Sequence, residues 1–265
     1  ISCHKFVGKN DKVNADKAAT DTMRSEINKL ELNGEVVIGE GELDEAPMLY
    51  IGEKLGAGGN LNIDIAVDPL EGTNFVAKNL PGALSVISIA EKGNLFNAPE
   101  TYMDKLAVSN KVPVDATDLD FPLEKNIKNI ADSLNKDTND LTACLLDRPR
   151  HREIIDTLKK MKVNIKLISD GDVAGALMVT DEKYKVDLFL GIGGGPEGVL
   201  AASALDTYGC KFQGRFIFDN EKDINRATKM GIKDLKKKYN LNEIIKGDSI
   251  FCATGITSGD LVRGV

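Results

Sequence analysis

The run Asn62-Ile-Asp-Ile-Ala-Val-Asp68, followed at once by Pro69, constrains the fold of this chain more than any other stretch. Its middle is apolar, which predicts a strand buried on both faces. Pro69 has a fixed φ and no N–H, which predicts a turn directly after Asp68. A buried strand thus delivers an acid at its carboxyl end. The rest of the chain follows a compatible rhythm. Ala19, Met23, Ile27 and Leu30 recur at helical spacing after Asn14-Ala15-Asp16, and Asn33-Gly34 closes that helix. Residues 35–38 read as a strand, 46–55 as a helix, 56–60 as a loop and 83–91 as a strand before the turn Lys92-Gly93-Asn94. Residues 112–139 carry Pro113, Pro122 and many polar residues, and read as a connection plus one amphipathic helix through Ile127, Ile130 and Leu134. Beyond them, apolar segments alternate at 141–146, 151–161, 163–169, 173–178, 186–190, 199–205, 212–218 and 224–230, the pattern of an α/β lobe. The expected organisation is an N-terminal lobe over 1–118, a connecting segment over 119–139 and a C-terminal lobe over 140–265.

The 265 residues include no Trp and only 5% aromatics, so the core must rest on Ile, Leu, Val and Ala. With 42% hydrophobic and 28% charged residues, the chain has an ordinary globular composition. Its net charge of −7 argues against a nucleic-acid partner, which needs a basic surface to displace counterions. No apolar run approaches the roughly 20 residues that span a bilayer, so no membrane partner is expected. Cys3, Cys144, Cys210 and Cys252 lack C-x-x-C spacing and read as buried free thiols. A reducing compartment, the cytoplasm, is the expectation, with a leader already removed as the alternative where Ile1 stands in place of Met. Lys236-Lys237-Lys238 reads as a solvated helix face.

The chemistry concentrates in Val67-Asp68-Pro69-Leu70-Glu71-Gly72-Thr73. Glu71 can point back toward Asp68 within one turn. Two carboxylates held that closely repel unless a cation lies between them. Oxygen-only hard donors suit Mg²⁺ or Mn²⁺. Gly72 allows close backbone approach, and Thr73 adds a hydroxyl that can orient a water. A cation, a water and a hydroxyl so placed suit metal-assisted phosphate hydrolysis. The plain alternative is a strand-to-turn junction with solvated acids. Gly39-Glu40-Gly41-Glu42 supplies another acid pair after a strand. Asp16, just after Lys12, sits at a helix start, where the macrodipole alone would account for an acid. Together Asp16, Glu40, Asp68 and Glu71 compose a possible multi-metal carboxylate site. Arg148 and Arg150 flank Pro149 and offer phosphate forks. Asp170 and Asp172 flank Gly171 and suit accepting hydrogen bonds, with an ordinary solvated loop charge as the plain alternative for each of these residues. Both groups follow predicted strands, where α/β sheets place ligands. His151 reads as a helix-start residue.

Asp68-Pro-Leu-Glu-Gly-Thr73 resembles the D-P-[IL]-[DE]-G-T signature of the lithium-sensitive metal-dependent phosphatases. Asn10-Asp-Lys-Val-Asn-Ala-Asp16, the run from Val37 through Gly39-Glu40-Gly41-Glu42 to Glu53, and Gly191-Ile-Gly-Gly-Gly-Pro-Glu-Gly198 together resemble class II (GlpX-type) fructose-1,6-bisphosphatase. The resemblance runs over essentially the whole chain, through Ala253-Thr-Gly255 and Gly259-Asp260. It implies a layered α/β sugar-phosphatase fold of two lobes with the active site between them. It implies hydrolysis of the 1-phosphate of fructose 1,6-bisphosphate in gluconeogenesis and glycerol metabolism, and action on sedoheptulose 1,7-bisphosphate as a second substrate. Asp16, Glu40, Asp68, Glu71 and Glu197 match the family's Mn²⁺ or Mg²⁺ ligands, and Thr73 and Lys12 its catalytic positions. Glu71, Gly72, Thr73, Tyr102, Arg148, Pro149, Arg150, Asp170, Gly171, Asp172 and Gly194 match substrate contacts. The resemblance further implies a homo-oligomer, a dimer or tetramer, and a chain clipped at both ends, with roughly 50 residues lying beyond the Gly259-Asp260 region in a two-lobed domain of this size.

Two competing readings stand beside it. Gly193-Gly-Gly195-Pro-Glu-Gly198 satisfies G-x-G-x-x-G between a strand and a helix, with Asp219 following the next strand, as in a dinucleotide-dependent oxidoreductase. Against it, Glu197 would put a carboxylate where a pyrophosphate should sit. A catalytically silent sugar-phosphate-binding protein would keep the arginines and lose a metal ligand, yet every matched ligand position carries an acid.

Overall fold

The computed structural model describes residues 1–39 and 49–265. In chain order the elements are α1 (Lys12–Ile27), β1 (Asn33–Ile38), β2 (Lys54–Leu55), β3 (Asn62–Glu71), α2 (Thr73–Lys78), β4 (Leu84–Glu91), β5 (Tyr102–Val108), α3 (Leu123–Leu134), β6 (Thr142–Leu146), α4 (Arg152–Lys160), β7 (Asn164–Ile168), α5 (Asp172–Leu177), β8 (Leu188–Gly194), α6 (Gly195–Thr207), β9 (Lys211–Ile217), α7 (Glu221–Lys229), β10 (Lys238–Asn240), α8 (Leu241–Ile244) and β11 (Ser249–Gly255). They form a mixed α/β fold with two sheets, ordered β11-β4-β3-β1-β2 and β10-β9-β5-β8-β6-β7. Contacts divide the chain into two compact units: residues 1–98 with 244–265, and residues 99–243.

This division differs from the one expected at residues 118 and 139. β5 pairs with β8 and β9, so it belongs to the second sheet although it precedes the polar connection. β11 pairs along its length with β4, which returns the C-terminal segment to the first unit. Long-range strand pairing is invisible to composition, and here it decides which unit owns each end.

In the first unit, β3 is flanked by parallel β1 and antiparallel β4. It is buried along nearly its whole length, as its apolar middle requires. The ladder carries on past Pro69 to Glu71, so the turn comes at Gly72 rather than directly after Asp68. Pro69 is tolerated because the β3–β4 register shifts there: Asp68 pairs with Val86 and Glu71 with Leu84. Three steps on β3 oppose two on β4, which is the signature of a bulge, where a missing N–H costs no ladder bond.

α1 begins earlier than its spacing suggested, because Asp11 caps it by accepting the Asn14 N–H at 3.1 Å. It ends at Ile27, leaving Leu30 exposed and Asn33-Gly34 in β1. Of the helix expected over 46–55, residues 46–48 lie outside the described part. Leu49 to Glu53 form a turn and Lys54–Leu55 a short strand paired with β1.

In the second unit, β6, β7 and β8 run parallel to one another, while β5 runs antiparallel to β8. The expected strand over 186–190 extends to Gly194, so the glycine-rich run is strand rather than loop. α6 is apolar on all sides and buried accordingly (Val199, Leu200, Ala202, Leu205). α3 follows the expected amphipathic pattern, packing Ile127 and Ile130 against Leu106, Leu145, Leu158 and Leu188. Lys238 starts β10 and ion-pairs with Asp118 and Asp120, so the lysine run leads into a strand instead of lining a helix. Among the described residues, no helix is long and apolar enough to cross a membrane.

All four cysteines are free; Cys3, Cys144 and Cys210 are buried, but Cys252 is exposed on β11, an edge strand. A thiol reagent should therefore label one cysteine in the native chain, Cys252, and all four after denaturation. Rapid native labelling of Cys144, buried in mid-β6 between β8 and β7, would contradict this packing.

Candidate functional site

At the end of β3 the bulge does chemical work. Val86 and Leu84 are two apart on β4 and share a face, so their partners Asp68 and Glu71 share a face too. In a regular strand, residues three apart would point to opposite sides. The extra residue brings the two acids to one side, which the expected turn was meant to do. Asp68 is half-buried and accepts the Leu70 N–H on Oδ1 at 3.0 Å; Glu71 is 4% exposed.

Gly72 follows at φ +81°, where a side chain would be strained and would also press on the Phe75 ring 2.6 Å away. That left-handed turn sets Thr73, half-buried, at the first position of α2. Ala15 and Ala19 of α1 pack with Leu70, Phe75 and Val76. The helix bearing Asp16 is thereby held against the strand end bearing Asp68 and Glu71. Asp16 lies in the second turn of α1, with its Oδ1 buried, whereas Lys12 is exposed at the first helical position. Glu40 lies outside the described residues.

In the second unit, the expected substrate contacts collect by topology. Parallel β6, β7 and β8 end on one edge of the sheet. Arg148-Pro149-Arg150 follow β6, Asp170-Gly171-Asp172 follow β7, and Gly194 ends β8 with Glu197 in the first turn of α6. Antiparallel β5 starts where β8 ends, and Tyr102 pairs with Gly194. The Arg150 guanidinium stacks 4.8 Å from the centre of the Tyr102 ring. It also donates from Nε and Nη2 to the Ile192 carbonyl at 3.0 and 2.8 Å. Arg148 donates to the Asp147 and Ser169 carbonyls at 2.9 and 2.8 Å. Both arginines are thus anchored on backbone oxygens, with further N–H groups left over.

Three features here were not legible in the sequence. Lys105, 1% exposed, ion-pairs with Asp172, so Asp172 is not a plain solvated hydroxyl acceptor. The available signal was a lone lysine before the apolar run Leu106-Ala107-Val108. Second, His151 does begin α4, but its side chain caps nothing. The ring is buried, its Nε2 accepts the Ile192 N–H at 2.8 Å, and Nδ1 donates to the Leu146 carbonyl at 2.7 Å. This tautomer is the one the two partners demand. Arg150 and His151 therefore grip the C=O and N–H of the same residue, Ile192, and tie the arginine loop to β8.

Third, the glycines of β8 answer to acids of this chain. A Cβ on Gly193 would collide with the Asp172 carboxylate, and one on Gly194 with that of Glu197. These carboxylates cover the backbone that a dinucleotide's pyrophosphate would need, which disfavours the oxidoreductase reading. Burial pushes the Glu197 carboxyl above its ordinary range, and the Asp172 charge adds to that against the opposing pull of Lys105. Among the described residues, no hydrogen-bond donor meets the buried Glu197 Oε2. Such an oxygen is expensive to bury unless a proton or cation meets it. Glu71 Oε2 is buried as well, and Glu71 and Asp16 both have further partners. Among the described residues, no group of three His, Cys, Asp or Glu is assembled to hold a metal.

Comparison with known proteins matches residues 1–265 to the family described as "Bacterial fructose-1,6-bisphosphatase, glpX-encoded". A relative from a Synechococcus strain, "D-fructose 1,6-bisphosphatase class 2/sedoheptulose 1,7-bisphosphatase", is 41% identical over 290 positions that cover 100% of this chain and 83% of the relative. A relative from Haemophilus influenzae, "Fructose-1,6-bisphosphatase class 2", is 39% identical over 279 positions, covering 100% of this chain and 83% of its own length.

Replacing His151 by Leu would leave the Ile192 N–H and the Leu146 carbonyl unpaired. The expected loss of stability is about 2 kcal/mol or more in urea denaturation. An unchanged midpoint would show that the ring does not bridge β6 and β8.

Proposed function

The chain belongs to the bacterial GlpX-encoded fructose-1,6-bisphosphatase family, and from that premise we propose that it hydrolyses the 1-phosphate of fructose 1,6-bisphosphate to fructose 6-phosphate and phosphate. The observation that carries this reading is the family match over residues 1–265 at about 40% identity to relatives named for that reaction. The D-P-L-E-G-T run further suggests the lithium-sensitive metal-dependent phosphatase superfamily. Mn²⁺ or Mg²⁺ as the ion, a homo-oligomeric assembly and the cytoplasm as compartment belong to the same reading, on the strength of the resemblance.

Asp16, Glu40, Asp68, Glu71 and Glu197 are the proposed cation ligands. Their chemistry fits: every donor is a hard oxygen, and Glu197 Oε2 is a buried acceptor that no hydrogen-bond donor meets among the described residues. When bound, a divalent cation supplies polarisation of the phosphoryl oxygens and lowers the pKa of a coordinated water. Thr73 orients the attacking water with its hydroxyl, and the bulge keeps Asp68 and Glu71 on the face beside it. Gly72 leaves the backbone open to the phosphate, and Lys12 adds positive charge at the start of α1. Arg150, braced by Tyr102 and Ile192, offers its free N–H groups to the second phosphate, as does Arg148 beside Pro149. Asp170, Gly171, Asp172 and Gly194 receive the sugar.

The test is phosphate release from fructose 1,6-bisphosphate with Mn²⁺ and with a chelator, sedoheptulose 1,7-bisphosphate being run beside it. Metal-dependent release is expected, and Asp68→Ala and Thr73→Ala should each lower kcat about a hundredfold or more with the fold intact by circular dichroism. Activity retained in both variants would remove the assigned site. Mn²⁺ should also raise the melting temperature of the wild type, since a ligand bound only by the folded state stabilises it. In Glu197→Gln the shift should shrink; an equal shift would exclude Glu197 as a ligand.

A further inference from the structure

Lys105 sits in mid-β5 with its ammonium out of water, a position tolerated only when a partner balances the charge. Its Nζ donates to Asp172 Oδ2. The stem passes beneath the first turn of α6, because a Cβ on Gly198 would lie 3.3 Å from Lys105 Cε and 2.6 Å from Met103 Sδ. Asp172 opens α5 and is itself 8% exposed. Lys105 takes Oδ2 of its carboxylate, and the backbone of Gly193 lies so close to that same oxygen that a Cβ there would come within 2.0 Å of it. Among the described residues, no hydrogen bond engages Asp172 Oδ1.

We propose that Lys105 is a positioning residue for sugar-bisphosphate binding: by holding Oδ2 of Asp172 it fixes the carboxylate and leaves Oδ1 as the oxygen to accept a substrate hydroxyl. The inference rests on the functional reading above, and Lys105 itself, buried, touches neither the sugar nor the phosphate. A contact made equally in ground and transition states acts on KM rather than kcat. Loss of one hydrogen bond to a charged group is large enough to be read as about a tenfold or greater change.

Steady-state kinetics on fructose 1,6-bisphosphate with saturating Mn²⁺ test this in the full chain. Lys105→Met should raise KM about tenfold or more with kcat changed by about threefold or less, and Asp172→Asn should do the same. The double variant should be no worse than Asp172→Asn, because both changes break one linkage. Lys105→Met strands a buried carboxylate; if it fails to fold, the double variant, which removes both charges, is compared with Asp172→Asn instead. A lysine that served packing alone would lower the melting temperature and leave KM of the folded variant unchanged, and that result overturns the proposal. So does a double variant whose KM exceeds that of Asp172→Asn by tenfold. A wild-type chain inert on sugar bisphosphates would overturn the functional reading and this inference with it, whereas an active wild type with unaltered Lys105→Met kinetics overturns this inference alone.

Discussion

A carboxylate taken out of water must meet a hydrogen-bond donor, a cation or a proton, and much of this structure follows from that requirement. The chain carries a net charge of −7, yet it folds Glu71 and Asp172 to 4% and 8% exposure and buries Glu197 Oε2, which no donor among the described residues meets. For Asp172 the cation is Lys105, delivered from the middle of a strand. For Glu197 the same lysine acts only at a distance, and burial still pushes its carboxyl up. The glycines of β8 are a consequence: with acids lying flat on Gly193 and Gly194, no side chain fits there. What reads as a nucleotide fingerprint in the sequence is backbone cleared for this chain's own carboxylates.

Backbone register does the rest of the positioning. In the first sheet a single extra residue, accommodated by Pro69, puts Asp68 and Glu71 on one face. In the second, three parallel strands and one antiparallel neighbour bring Tyr102, the arginines, Asp170, Asp172 and Gly194 to one edge. Ile192 is held through its C=O by Arg150 and through its N–H by His151, so the arginine loop is tied to the glycine strand. Such preorganisation suits the proposed role of these residues in clamping a doubly phosphorylated sugar.

The sequence revealed the elements better than their partners. Strand ends carrying Asp68, Arg148 and Asp170 were readable, because apolar runs followed by turn residues have few other solutions. The ownership of β5 and β11 was not, because pairing across more than 100 residues leaves no local trace. Pro69 does not distinguish a turn from a bulge, because its lack of an N–H is equally at home in either. A lone lysine in a strand normally faces water, and only the fold shows that Lys105 faces Asp172. The sequence position of His151 marks the start of α4 but carries no trace of the two backbone partners its ring meets.

In the proposed function, the acids at these strand ends hold a divalent cation. The most direct measurement is a crystal structure of the chain grown with Mn²⁺ and examined by anomalous diffraction. The account predicts a peak bonded to the carboxylates of Asp68 and Glu71, with the Lys105–Asp172 ion pair intact. Manganese absent from those carboxylates at saturating concentration, with the fold otherwise as described, would contradict it.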